Sequence, residues 1–148
     1  MKFKEIIIDD VEVLAEMFVD TFNSSPWNDK WTIKTASKRL HQMINCEGFK
    51  GIMAYEEEVV LGMILGSEEQ YYNGIVFVVK EFCINNKMRN KGFGTILFKE
   101  FEERIKSIGV TEIVLNTLKD NSTEGFYKKM GLKVYDDMMV MGKNIRNS

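Results

Sequence analysis

The sequence predicts an α/β fold of mixed sheet type (α+β), with the element order βααβββαβαβ. Apolar, β-branched segments alternate with amphipathic helical segments along the 148 residues. The helical segment at 92–108 connects apolar strands at 75–84 and 111–118, and such a crossover makes those two strands parallel. The chain has no internal repeat, no linker and one proline, Pro26, so we expect a single domain over residues 1–148.

The first elements are one strand and two helices. Residues 3–8 are rich in β-branched side chains, which is typical of a strand, and the two aspartates after them are typical of a helix start. The first helix is predicted over Val11–Phe22 because apolar residues recur there at helical spacing. Residues 23–31 are rich in turn formers, and Thr32 is predicted to cap a second helix.

A hairpin and a buried strand come next. Residues 51–55 and 59–66 are predicted strands, and the three glutamates between them predict a tight antiparallel reversal without glycine. Residues 75–84 form an apolar run long enough for a strand covered on both faces, with Lys80 and Glu81 as its only charges. The remaining predicted elements are a helix at 92–108, a strand at 111–118, a short helix at 121–130 and a closing strand at 132–141.

Composition and charge exclude several classes of function. The net charge of −2 argues against wholesale binding to nucleic acid or to anionic lipid, since both need a basic surface. The two cysteines, Cys46 and Cys83, form neither a disulfide framework nor a metal-ligand spacing, so we expect a reducing cytoplasm and no metal. No signal peptide is evident, and no apolar run approaches the ~18–20 residues that span a bilayer. We therefore expect a cytoplasmic protein with no membrane partner.

A basic, glycine-rich segment, NNKMRNKGFGT at residues 85–95, lies between the apolar strand and the long helix. Backbone N–H groups at a helix N-terminus lack intrahelical partners and bind phosphate oxygens readily. Four bases between residues 80 and 94 face one acid, Glu81, so the segment is locally positive. Neither GxxxxGK[ST] nor the complete GxGxxG is present, which excludes a simple P-loop or Rossmann reading.

Two motifs identify a family resemblance. Arg89-x-x-Gly92-x-Gly94 resembles the [QR]xxGx[GA] acyl-CoA pyrophosphate loop of the GNAT superfamily of N-acetyltransferases. NSTEGFYKKMGL at 121–132 resembles the N-x-x-A-x-x-F-Y-x-x-x-G-F segment of that family, with a glutamate at the alanine position. The sequence departs from the family in the turn before the arginine, which has Asn85-Asn86 and Met88 in place of a frequent proline and aromatic residue, and Asn90 in place of a frequent glycine.

The resemblance implies that the sheet splays between its fourth and fifth strands and holds acetyl-CoA there. A backbone N–H around Cys83 would then lie near the thioester carbonyl as an oxyanion donor. The implied reaction moves an acetyl group to a primary amine of a small molecule or peptide by direct attack in a ternary complex, and CoA is the product. The implied cofactor-binding residues are Phe82, Cys83, Ile84, Arg89, Asn90, Lys91, Gly92, Phe93, Gly94, Thr95, Asn121 and Tyr127.

Two side chains are candidates for proton transfer. An attacking amine must lose a proton because alkylammonium groups have pKa values near 10.4, as lysine does. Glu81 is the candidate general base, acting through water, and its alternative role is an ion pair with Lys80 or with a neighbour at the end of the sheet. By resemblance, Tyr127 is the general acid for the departing thiolate, and its alternative role is a core tyrosine beside Phe126. Asn121 would hydrogen-bond the cofactor arm or cap the helix.

The resemblance also implies where the acceptor binds: the N-terminal helix–loop–helix and the loop before the central strand. Aromatic rings with nearby glutamates would suit a cationic amine. Alternatively, the tryptophans pin a loop onto the core and the glutamates are solvated turn residues. The candidate acceptor residues are Phe22, Asn23, Trp27, Trp31, Tyr71 and Tyr72.

Other classes of function remain open at this point. A non-catalytic acyl-CoA-binding sensor or structural module would keep the loop, but the presence of both Glu81 and Tyr127 disfavours it. A nucleic-acid-binding role for the basic residues at 87–91 is disfavoured by the overall charge. Thiol catalysis by Cys83 is disfavoured because His41 lies in a separate helix, which leaves the thiol without a base. Exposed strand edges would allow a homodimer.

Overall fold

A computed structural model describes residues 1–146. The chain forms two compact units, Met1–Leu118 and Lys119–Ser148, so the prediction of a single domain stays a prediction. Within residues 1–146, none of the helices has the length and apolar character needed to span a bilayer. The elements in chain order are β1 (Lys2–Glu5), a 3-10 turn (Ile8–Asp10), α1 (Val11–Phe22), α2 (Ile33–Ile44), β2 (Phe49–Glu56), β3 (Val59–Tyr71), β4 (Gly74–Ile84), a second 3-10 turn (Asn86–Met88), α3 (Phe93–Ser107), β5 (Val110–Leu115) and α4 (Asn121–Lys129).

The first unit is built on one mixed sheet with the strand order β1-β2-β3-β4-β5. The pairings of β1 with β2, β2 with β3 and β3 with β4 are antiparallel, and β4 pairs with β5 in parallel. The parallel pair flanks α3 in sequence, which confirms the predicted crossover. The predicted hairpin is also confirmed, and its turn residues Glu57 and Glu58 have φ values of 47° and 67°.

The two faces of the sheet bury different helices. Apolar side chains of α1 and α2, among them Leu14, Phe18 and Leu40, pack with Cys83 of β4 in one core cluster. Residues next to each other in a strand point to opposite faces, and Phe82 contacts α3 through Phe98, with ring centroids 5.9 Å apart. The sheet therefore lies between α1 and α2 on one side and α3 on the other. In α3, Leu97, Phe101 and Ile105 are buried, whereas Ile96 is about half exposed.

Capping chemistry explains where the first two helices begin. The hydroxyl of Thr32 accepts a hydrogen bond from Thr35 N–H (3.1 Å), which confirms Thr32 as the cap of α2. Asp10 precedes α1 but does not cap it with its side chain. Its carboxylate instead accepts a hydrogen bond from Ile7 N–H (2.8 Å) and pairs with Lys4 Nζ (2.6 Å). The first strand ends at Glu5, before the predicted residue 8, and a 3-10 turn follows it.

The second unit contains α4 and the segment after it. The helix ends at a left-handed Gly131 (φ 93°), and Leu132 N–H donates to the Tyr127 carbonyl oxygen (3.0 Å), as a Schellman cap requires. The strand predicted at 132–141 is wrong, because no strand follows α4 in the described residues. An apolar run forms a strand only where a partner strand accepts its backbone hydrogen bonds, and the side chains at 138–141 are exposed here.

A β-bulge interrupts the pairing of β3 with β4. Leu65 is opposite Glu81 and Gly66 is opposite Val79, which leaves Lys80 as the extra residue of β4. Gly66 is required at this position because a Cβ there would overlap the Val78 carbonyl oxygen. The bulge thus brings two backbone segments closer than any side chain at Gly66 would allow.

We expect Gly66→Ala to destabilise the fold by roughly 1–3 kcal/mol, because the added methyl group forces backbone atoms apart at the bulge. Thermal unfolding should show a Tm lower by about 2–4 °C for each kcal/mol. Gly142→Ala is the matched control, since a Cβ at Gly142 meets nothing within 4 Å. Equal melting temperatures for the two variants would contradict this account of the bulge.

Candidate functional site

β4 and β5 pair along only part of their length. Their parallel register ends at Val79 and Leu115, the last residue of β5. β4 continues to Ile84 and stays paired with β3 as far as Gly62. In the described part of the chain, residues 80–84 of β4 therefore have a strand neighbour on one side only. This is the opening between the fourth and fifth strands that the family resemblance implies.

Backbone direction selects which groups of β4 face this opening. Asn85 N–H donates to the Leu61 carbonyl oxygen (2.8 Å), so the backbone of Asn85 faces β3. Backbone groups of successive strand residues point to opposite edges, which places those of Cys83 toward β3 and those of Phe82 and Ile84 toward the opening. Of the backbone N–H groups around Cys83, those of Phe82 and Ile84 therefore face the opening. The role of such an N–H group as oxyanion donor stays a prediction.

The N-terminus of α3 presents open backbone donors. The first intrahelical hydrogen bond of α3 runs from Ile96 N–H to the Gly92 carbonyl oxygen (3.3 Å). The amides of Phe93, Gly94 and Thr95 precede it, and none of them donates to another protein atom in the described residues. Gly92 has a φ of 83°, which glycine adopts at little cost, and a Cβ there would meet nothing within 4 Å. Open amides at the positive end of a helix dipole form a suitable anion site.

The two asparagines that depart from the family pattern hold the turn before α3. Asn85 Nδ2 donates to the Val60 carbonyl oxygen (3.1 Å), and its Oδ1 accepts from Lys87 N–H (3.0 Å). Asn86 Nδ2 donates to the Asp20 carbonyl oxygen (2.9 Å) near the end of α1. These contacts attach the basic loop to β3 and to α1, so the departures from the family pattern have a structural role.

Arg89, the first residue of the phosphate-loop motif, contacts the loop between α1 and α2. Its guanidinium carbon lies 5.5 Å from the centroid of the Trp27 ring, within the range of a cation–π interaction. Trp27 in turn packs edge-on against Phe22, with ring centroids 5.0 Å apart. Trp27 therefore links the basic loop to the core of the first unit.

Glu81 lies in the open segment of β4 and is held by Arg39 of α2. Arg39 Nε donates to Glu81 Oε1 (2.6 Å), and the Glu81 side chain is only 11% exposed. Burial raises the pKa of Glu81, and this effect outweighs the charge and the hydrogen bond of Arg39, which lower the pKa; Asp29 adds a smaller increase. Lys80, the partner considered from the sequence, is in no ion pair within the described residues.

Sequence reasoning did not find Arg39. The residue lies on α2 close to the stripe formed by Ala36, Leu40 and Met43, which faces the core. An arginine beside a buried helical stripe needs a partner, and this spacing is the signal that could have identified it. The partner itself is 42 residues away in the sequence, so its identity depends on how α2 packs against the sheet.

The Cys83 thiol is buried, and burial raises its pKa to about 12. A thiol with so high a pKa stays protonated at neutral pH and is a poor nucleophile. Cys83 is therefore a small buried residue of the core. Cys46, by contrast, is exposed, and both thiols are free.

Asn121 and Tyr127 lie in α4, within the second unit. Asp120 caps this helix by accepting from Thr123 N–H (3.2 Å), so Asn121 is the first helical residue rather than the cap. Tyr127 is half-buried and packs edge-on against Phe126, with ring centroids 5.3 Å apart. The predicted roles of Asn121 and Tyr127 stay predictions.

Four of the six acceptor candidates, Phe22, Asn23, Trp27 and Trp31, lie in or next to the loop between α1 and α2 and pack or hydrogen-bond with one another. Phe22 is buried. Asn23 Nδ2 donates to the Trp31 carbonyl oxygen (2.9 Å), and its Oδ1 accepts from Trp31 N–H (2.8 Å). Tyr71 and Tyr72 are exposed next to the β3–β4 turn. The loop contacts support the alternative that these residues pin the loop, and their part in acceptor binding stays a prediction.

Comparison with protein families assigns the chain. Residues 11–132 match the family described as the Acetyltransferase (GNAT) family. Because the match spans most of the 148 residues, the chain belongs to the GNAT acetyltransferase family. Acyl transfer is therefore its general class of reaction. The family assignment also confirms the resemblance inferred from the two motifs. No curated protein matches the sequence.

Solved structures confirm the fold. A possible acetyltransferase from Clostridium difficile 630 is similar with a TM-score of 0.83 and 17% identity, and the match covers 98% of both chains. An aminoglycoside antibiotic 6′-N-acetyltransferase from Acinetobacter haemolyticus has a TM-score of 0.75 and 18% identity over 98% of this chain and 99% of that one. A transcriptional regulator from Bacillus halodurans C-125 reaches 0.78 at 18% identity, over 96% and 99%. At these identities the similarity shows the fold alone.

We expect Arg39→Met to raise the pKa of Glu81 further, because the variant removes the charge and the hydrogen bond that favour the carboxylate while burial remains. Because the pKa of Glu81 is higher in the folded state than in the unfolded state, the free energy of unfolding falls as the pH rises from the unfolded pKa to the folded pKa. Arg39→Met should widen this pH interval and so enlarge the fall. NMR titration of the Glu81 carboxyl carbon measures the pKa directly.

The control for this titration is Arg104→Met. Arg104 has the same side-chain exposure as Arg39, 38%, and pairs with Glu100 on α3 instead. A Glu81 pKa that stays constant or falls in Arg39→Met would contradict the assignment of Arg39 as the group that stabilises the Glu81 carboxylate.

Proposed function

We propose that the protein is an acetyl-CoA-dependent N-acetyltransferase that acts on a primary amine of a small molecule or peptide. One observation carries this proposal. The end of β4 that has no partner in β5 is followed, after the loop at 85–92, by the open amides of α3. A ligand with a diphosphate at one end and an amide-bearing arm at the other matches that combination of a helix N-terminus and an unpaired strand edge.

The residues present fit such a ligand. The amides of Phe93, Gly94 and Thr95 would accept the diphosphate oxygens, and Arg89, Lys87 and Lys91 add positive charge around them. The β4 edge toward the opening would pair with amide groups of the arm in the manner of an added strand. Acetyl-CoA, when bound, supplies an acyl group activated as a thioester.

Glu81 is proposed to take the proton from the acceptor amine through a water molecule. Its carboxylate is on the open segment of β4, and its raised pKa makes it a stronger base than an exposed glutamate. The hydrogen bond from Arg39 fixes the carboxylate orientation, because it joins β4 to α2. Arg39 is thus a positioning residue for the base.

Tyr127 is proposed to hold a proton at its phenol oxygen and to donate it to the leaving group, and Asn121 to hydrogen-bond the cofactor arm. A phenol with an unperturbed pKa near 10 is protonated at neutral pH and suits this role. We further propose that the whole chain acts as one domain. Free thiols at Cys46 and Cys83 favour a reducing compartment such as the cytoplasm, and a homodimer is compatible with the strands at the ends of the sheet order, β1 and β5.

We expect acetyl-CoA at about 100 times its Kd to stabilise the fold by roughly 2.7 kcal/mol. This corresponds to a Tm increase of about 5–10 °C for a chain of this size. Arg89→Gln should weaken binding by about tenfold or more, since it removes a charge-assisted contact. Lys99→Gln, an exposed change on the outer side of α3, should keep the full increase. An unchanged Tm at this excess of acetyl-CoA would contradict the proposal.

We expect Tyr127→Phe to lower kcat by about 10²-fold or more with little change in acetyl-CoA affinity, because only the proton donor is lost. Thiol release over a panel of amines measures kcat, and Tyr55→Phe in β2 is the matched control. Nearly intact turnover would assign Tyr127 to packing. Silence across peptides, polyamines, amino acids and aminoglycosides, with acetyl-CoA bound, would support a sensor instead of an enzyme.

A further inference from the structure

A charged cleft lies beside the β-bulge, on the face of the sheet that carries α2. Its volume is about 120 Å³, which is sufficient for a small group such as a carboxylate. Its lining comes from α2, the residues after it, β3 and β4. The polar members are Arg39, Gln42, Ser67 and Lys80, and the apolar wall includes Met43 and Cys46.

The lining carries an excess of positive charge. Arg39 directs its Nε–H to Glu81, while Lys80 belongs to no ion pair in the part of the chain that the structure describes. The lining residues include two cations, Arg39 and Lys80, and no carboxylate, whereas Glu81 and the Asp29 charge that acts on it lie outside the lining. The side chains of Gln42 and Ser67 add neutral hydrogen-bond donors. This donor set is suited to an anion.

The cleft adjoins the opening between β4 and β5. Lys80 directly follows Val79, the last residue of β4 that pairs with β5, and Glu81 is next. Because Lys80 is the inserted residue of the bulge, both side chains reach the α2 side: Lys80 lines the cleft with Arg39, and Glu81 contacts Arg39 directly. A cation and a carboxylate therefore lie at successive residues on one face of the strand.

We propose that the cleft binds the carboxylate of the acceptor, and that the acceptor is a free amino acid whose α-amine is acetylated. This inference rests on the proposed function. An amino acid carries an ammonium and a carboxylate on one carbon, so its two charges complement Glu81 and Lys80. In the transfer, the ammonium first gives one proton to Glu81 through water. The neutral amine nitrogen then bonds to the acetyl carbon and loses a second proton, the thioester C–S bond breaks, and the thiol leaves with one proton.

A polycationic acceptor does not fit this cleft. One similar structure is an aminoglycoside acetyltransferase, so aminoglycosides are an acceptor class that must be compared. An aminoglycoside has no carboxylate and would bring ammonium groups toward Lys80, which has no ion-pair partner in the described residues, and like-charge repulsion disfavours this.

The experiment compares matched acceptors with acetyl-CoA as donor. The twenty standard L-amino acids are each assayed against their primary amides, which keep the amine and lose the negative charge. For the best acceptors, we expect kcat/KM for the acid to exceed that for the amide by about tenfold or more, equivalent to ~1.4 kcal/mol. Lys80→Gln should bring this ratio close to one, and Lys80→Glu should invert it. Lys99→Gln should leave the ratio unchanged.

Three results would overturn the inference and leave the transferase assignment intact. They are equal rates for acids and amides, a ratio of rates that Lys80→Gln does not alter, and acetylation of aminoglycosides alone. If acetyl-CoA binds but no amine reacts, the proposed function fails instead. The cleft is then judged by thermal shift of the CoA-bound protein with the same pairs. Stabilisation by acids and not by amides, lost in Lys80→Gln, would support the cleft, and its absence would overturn it.

Discussion

The separation of β5 from β4 after Val79 is the constraint on which the rest of the site depends. β4 keeps its pairing with β3 to Ile84, so the strand cannot follow β5, and the backbone between 80 and 84 is left with one strand neighbour. The bulge at Lys80 occurs at this same position, and a bulge bends a strand and increases its local twist. The opening therefore begins where β5 ends and where the bulge interrupts β4.

The same bulge connects the opening to α2. By inserting one residue, it turns Lys80 and Glu81 toward the helix, where Arg39 binds the glutamate. A buried carboxylate without a partner would be costly, and Arg39 reduces that cost while fixing the carboxylate beside the opening. At the other end of the segment, Asn85 and Asn86 attach the basic loop to β3 and α1. The proposed donor and acceptor regions are thus both attached to the sheet.

Sequence patterns predicted the features that depend on local periodicity. Spacing and turn chemistry predicted the helix cap at Thr32, the hairpin at Glu57 and Glu58, and the crossover helix. Two short motifs were sufficient to identify the family. The strand at 132–141 was wrong, because an apolar run does not reveal whether a partner strand exists. Arg39 was missed because its partner lies on a distant element, and the bulge at Lys80 was not visible because register is a property of two strands.

The most direct test of the central claim follows individual backbone amides. In ¹⁵N-labelled protein, titration with CoA should shift the amide signals of Phe93, Gly94 and Thr95, whereas pantetheine, which lacks the diphosphate, should leave them in place while perturbing residues 80–84. Such a division would locate the anion at the start of α3 and the arm along β4. Signals of these three amides that stay constant at saturating CoA would contradict the account.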